Sequence, residues 1–65
     1  MKWFAVEMNK EDNDWGTGSF DWDEAVEMAR RMGAYKIATI DGGYCEEGHE
    51  TTEPLCIEET LVSEI

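Results

Sequence analysis

Positive charge is what this chain has least of: five Lys and Arg stand against sixteen Asp and Glu in 65 residues, for a formal net charge of −11 at pH 7. A field of that sign repels phosphate, which argues against direct contact with DNA, RNA or an anionic membrane and favours fast association with a basic protein surface. The same acidity also serves plain solubility. Long hydrophobic runs are missing as well. The opening "MKWFAVEMNKED" is broken at Glu7, too early for the apolar region of a secretion signal, and no run approaches a membrane span. The expected location is therefore the cytoplasm, where Cys45 and Cys56 are free thiols by default and not a structural disulfide.

Histidine occurs once. His49 sits among Glu residues and reads as a solvated side chain, not a general base. Ser19 and Ser63 lack a nucleophile-elbow context, and Gly16, Gly18, Gly42 and Gly43 spell neither a phosphate loop nor a dinucleotide fingerprint. No enzyme is expected. Apolar substance, by contrast, is plentiful: 42% of residues are hydrophobic, with three Trp, two Phe and two Tyr, which excludes a disordered acidic tail. Residues 1–65 are expected to form a single small acidic α+β domain. At this length folding hides only about 60% of the unfolded surface, so the core is small.

"KWFAVEM" at 2–8 alternates as a strand, with Phe4, Val6 and Met8 toward the core and Trp3, Ala5 and Glu7 on the other side. "NKEDNDWGTGS" is a loop by composition. A helix follows. Asp21 is its N-cap, Glu24 stands three residues on as in a capping box, and Phe20 is placed to staple onto Ala25. Asp23 and Glu24 suit the positive end of the helix dipole, Arg30 and Arg31 the last turn, and Gly33 the left-handed position that ends it. Trp22, Ala25, Val26, Ala29 and Met32 recur on one face. "YKIATID" is a second strand, "DGG" at 41–43 breaks it, and "PLCIEETLVSEI" is a third, with Leu55, Ile57, Leu61 and Ile65 on one face. The expected fold is a β-α-β-β mini-domain: one helix on one face of a three-stranded sheet, with a right-handed crossover between the first two strands. The third strand then inserts between them in the order 1-3-2. In an alternative, "DGG" is a hairpin turn and Tyr44 to Glu46 add a short strand.

Three constellations carry chemistry. An EF-hand beginning at Asp12 fails on spacing, because Gly16 stands at its fifth position, Thr17 at its sixth and Asp23 at its twelfth. Cys45, His49 and Cys56 offer zinc its preferred ligand types, yet Cys-x3-His-x6-Cys matches no common zinc spacing. Cys56 also has the opposite parity to Leu55 and Ile57, which places it on the second face of the sheet. No cofactor is expected, and zinc on these residues is the alternative. The remaining feature is the acid itself. Asp12, Asp14, Glu46, Glu47, Glu50, Glu53, Glu58 and Glu59 lie outside the helix and can present carboxylates in place of nucleic-acid phosphates. Trp15, in a glycine-rich loop, is either an aromatic anchor for such a contact or a side chain folded back over the sheet edge. The expected partner site is Asp12, Asp14, Trp15, Glu46, Glu47, Glu50 and Glu53, facing a basic nucleic-acid-binding protein. Open sheet edges add the expectation of a homodimer.

Overall fold

The computed structural model describes residues 2–11, 15–42 and 55–65. Among them are strands β1 (Lys2–Glu7) and β2 (Gly18–Ser19), helix α1 (Trp22–Met32), strands β3 (Lys36–Asp41) and β4 (Leu55–Leu61), and a 3-10 turn at Val62–Glu64. The strands form one antiparallel sheet in the order β2-β1-β3-β4. The α+β class is as expected. The strand number and order are not. Three strands in the order 1-3-2 become four, with β1 and β3 paired directly along their whole length, from Lys2 opposite Asp41 to Glu7 opposite Lys36. The proposed extra strand at Tyr44 to Glu46 lies outside the described residues.

The correction has one cause. Gly18 and Ser19 pair with Ala5 and Phe4 in a stretch that reads as loop, so the chain has already doubled back along β1 before the helix begins. One helical crossing then delivers β3 antiparallel to β1, where without β2 it would arrive parallel. The helical crossover therefore joins β2 to β3, which run parallel with β1 between them, and β4 pairs on the outer side of β3 instead of inserting next to β1.

Helix α1 begins and ends where local chemistry dictates. The Asp21 carboxylate accepts the Glu24 N–H at 3.0 Å, and Gly33 adopts φ 70°, the left-handed conformation that ends a helix without a Cβ clash. The Ala34 N–H then reaches back to the Ala29 carbonyl at 2.8 Å. Glu24 does not return to the cap N–H as a capping box would have it. Ser19 stands between: its Oγ donates to Glu24 Oε1 at 2.8 Å and accepts the Asp21 N–H at 3.1 Å. Replacing Asp21 by Ala is expected to cost about 1 kcal/mol. A urea midpoint unchanged by Asp21→Ala would mean that Ser19 and Glu24 hold the helix start by themselves.

Ala25, Val26 and Ala29 are buried against Val6, Ala34 and Ile37, with Phe4, Trp22, Met28 and Val62 packed around them. The two alanines let the helix backbone approach the sheet. Phe4 and Trp22 meet edge to face with ring centroids 5.1 Å apart, a contact of about 0.5–1.5 kcal/mol beyond its buried area. Met28 takes the place expected for Met32, which is exposed together with Met8. The end of the chain closes this layer: the Val62 N–H donates to the Tyr35 carbonyl at 2.9 Å and Arg30 Nη2 donates to the Ile65 carbonyl at 3.0 Å.

The sheet is also buried on its other face, by Trp3, Ala5, Ala38 and Ile40, with Trp15 and Cys56 against them. Cys56 thus occupies the second face, as its parity requires. The inward face expected for Leu55, Ile57, Leu61 and Ile65 does not form. An irregularity between Thr39 and Ile40 pairs Thr39 with Glu58 and Ile40 with Cys56, so Ile57 is passed over and Leu55 and Leu61 fall on opposite faces. Leu55 is 63% exposed and Ile57 45%.

Candidate functional site

On the face away from the helix, burial and charge meet. Lys36 follows the parity of Ala38 and Ile40 and is buried on this face. Its Nζ donates to the Lys10 carbonyl and to Glu59 Oε2, both at 2.8 Å. Its cross-strand partner Glu7 is buried too. Lys36 is held protonated, with its pKa raised above the ordinary 10.5, first by the hydrogen bond it donates to Glu59. Burial opposes that effect, and the charges of Glu59 and Glu7 add to it. This cluster ties the segment connecting β1 and β2 to the sheet.

The same connection carries Trp15. It is half-buried, packed on the second-face core, and so is folded back over the sheet in the way its loop position allowed. It remains available on one side. A cavity of about 330 Å³ is lined by Trp15, Trp3 and Phe20, by Gly16, Gly18 and Ser19, and by Glu24. Strand β2 builds it: the pairing of Phe4 with Ser19 and of Ala5 with Gly18 carries Phe20 and the start of α1 alongside Trp3. The Val6 N–H bonds the Thr17 carbonyl at 2.8 Å and fixes the near end of the same segment.

Glu24 also lines a second concavity, of about 420 Å³, along α1 with Asp21, Asp23, Glu27, Met28 and Arg31. Four carboxylates there face one guanidinium, which is itself paired with Glu27. The two hollows share Glu24, so an aromatic-lined cleft opens beside an acidic groove at the first turn of the helix. Sequence reasoning assigned Asp21, Asp23 and Glu24 to helix formation only. Asp21 has that role, while Glu24 serves both the helix start and the cleft.

Of the residues expected to face a partner, Trp15 is the one the structure brings into this region. Asp12, Asp14, Glu46, Glu47, Glu50 and Glu53 lie outside the described residues, as do Cys45 and His49 of the zinc alternative. Cys56 packs in the sheet, its Sγ directed to the Glu58 carbonyl at 3.7 Å. Among the described residues there is no group of three or more His, Cys, Asp or Glu arranged to hold a metal ion. Nor is any helix there long and apolar enough to cross a membrane. The Ser19 hydroxyl, hydrogen-bonded to a carboxylate, has the look of an activated nucleophile, yet both its hydrogen bonds belong to the helix start. What the region can do chemically is offer aromatic faces and a high density of negative charge to a cation. Phe20 and Trp3 were missed as contributors because neither has a local sequence signal for it; their proximity depends on β2. Comparison with protein families, with curated proteins and with solved structures found no match for this chain.

Proposed function

We propose that this chain is a non-enzymatic, acidic interaction module that docks on the basic surface of a nucleic-acid-binding protein and competes there with nucleic acid. The observation that carries this reading is the charge: −11 on 65 residues, with four carboxylates gathered along one groove of α1 beside an aromatic cleft. Carboxylates spaced over a small surface attract the Lys and Arg side chains that otherwise hold phosphates, and the encounter is accelerated by the long-range field. Binding of this kind weakens steeply as salt screens the charges.

The test is a pull-down with the tagged chain from a lysate of its source, eluted by a salt gradient and identified by mass spectrometry. A nucleic-acid-binding protein is expected to elute at moderate salt and to be displaced by added DNA or RNA. Neutralising Glu46, Glu47, Glu50 and Glu53 together to Gln is expected to weaken retention by about tenfold or more, in line with the coupling energies of charge pairs across interfaces. Retention that ignores both salt and the quadruple substitution would overturn the reading and leave the acidity as solvation.

A further inference from the structure

The cleft beside the helix start differs from the rest of the acidic surface because it has aromatic walls. Trp3, Trp15 and Phe20 line it, and Glu24 supplies a carboxylate whose Oε1 already accepts from Ser19. Trp3 is 8% exposed and Trp15 half-buried, so these indoles are held by the sheet and present a fixed shape. Phe20 is exposed at 42%, a large apolar surface turned toward water at the edge of a cavity. An aromatic hollow with a carboxylate attracts cations, since ring faces and the carboxylate are both negative. The adjoining groove of Asp21, Asp23, Glu24 and Glu27 selects the same sign of ligand.

We propose that this cleft takes one arginine side chain of the basic partner, its guanidinium laid on an aromatic face and hydrogen-bonded to Glu24. This rests on the interaction reading above and names the contact that gives it specificity. Arginine fits better than lysine for three reasons. Its guanidinium is planar and stacks on indole or phenyl rings. It presents several N–H donors to a carboxylate at once, and it is more weakly hydrated than an ammonium, so it enters a partly apolar hollow more readily. A lysine ammonium would engage the open groove of α1 about as well as the cleft, because a compact, strongly hydrated charge gains little from the rings.

The experiment compares hexa-arginine with hexalysine by tryptophan fluorescence and by the indole N–H signals in NMR, at low salt and at about 0.15 M salt. Hexa-arginine is expected to bind about tenfold more tightly and to move the Trp15 indole signal, with hexalysine moving it little. Glu24→Gln keeps an acceptor for Ser19 and is expected to abolish the arginine preference, while hexalysine, held by the remaining groove carboxylates Asp21, Asp23 and Glu27, weakens much less. Phe20→Leu is expected to reduce the preference severalfold. Circular dichroism confirms the fold of both variants. Equal affinity for the two peptides, or a Glu24→Gln effect equal on both, would overturn the arginine cleft and leave charge-driven docking intact. Failure of both peptides to bind at low salt would overturn the cleft together with the reading on which it rests.

Discussion

Replacing Lys36 by Met is expected to remove about 3–5 kcal/mol of stability, because it strips the cation from a buried charge cluster and leaves the carboxylates behind. A chain of 65 residues at roughly 0.05–0.15 kcal/mol per residue has about 3–10 kcal/mol in all, so the variant is expected to be largely unfolded or to melt more than about 12 °C lower. Glu7 decides the size of the effect. It is 1% exposed, directly across from Lys36, while Glu59 is half-exposed and can be solvated by water. The Lys36 contacts also anchor the connecting segment through the Lys10 carbonyl. A second substitution, Glu7→Leu, in the Lys36→Met background replaces the buried lysine and the carboxylate across the strand from it by apolar groups and is expected to recover part of the loss. Urea denaturation of the two single variants and the double variant measures the coupling. A Lys36→Met protein within about 1 kcal/mol of the parent would mean that Glu7 does not need the cation.

The same lysine sets an alkaline limit. Its pKa is raised in the folded chain above the 10.5 of a solvated lysine, so the stabilisation is complete below that value. It is lost as pH rises through the folded pKa. Melting temperature is therefore expected to fall above a pH of about 10.5, and Lys36→Arg, charged to beyond about pH 12, to postpone the fall.

How much of this was legible depended on the range of the signal. Asp21 and Gly33 mark the helix ends because capping is local: an acceptor at the first free N–H groups and a left-handed residue at the last turn. Cys56 on the second face followed from parity alone. The two-residue β2 was not legible, since "GS" has no strand propensity and its pairing is decided entirely by what β1 offers it. With β2 unseen, the direction of β3 and the position of β4 were necessarily wrong. The burial of both sheet faces was half-visible in "KWFAVE", where Trp3 and Ala5 are as apolar as Phe4 and Val6. The irregularity at Thr39 and Ile40 that exposes Leu55 and Ile57 has no signature in composition. For the site, Trp15 could be singled out as an aromatic in a polar loop. Its neighbours in the cleft could not, because Trp3, Phe20 and Glu24 meet it only through β2.

That dependence makes Gly18→Ala the substitution that tests fold and site together. A Cβ at Gly18 would stand 2.1 Å from the Phe4 carbonyl oxygen and 2.9 Å from Ala5 Cα, backbone atoms of the paired strand that cannot rotate away. The clash is relieved only by moving β2 off β1, which disrupts its two residue pairings and shifts Ser19, and with it the hydrogen bonds to Glu24 and Asp21. The expected cost is about 3 kcal/mol, the upper end for added bulk in a packed site, or a melting temperature lowered by about 12–24 °C. Gly33→Ala provides the contrast: no atom lies within 4 Å of its added Cβ, and only the φ of +70° resists, for about 1 kcal/mol. The two variants also separate stability from the cleft. Gly33→Ala is expected to leave the Trp15 indole signal and any arginine binding unchanged, because the helix start is untouched. Gly18→Ala is expected to shift that signal and weaken arginine binding even at temperatures where the chain remains folded, since the segment carrying Phe20 and Ser19 has moved. A Gly18→Ala protein of parental stability with an unmoved Trp15 signal would show that β2 does not hold the close pairing on which the cleft is built.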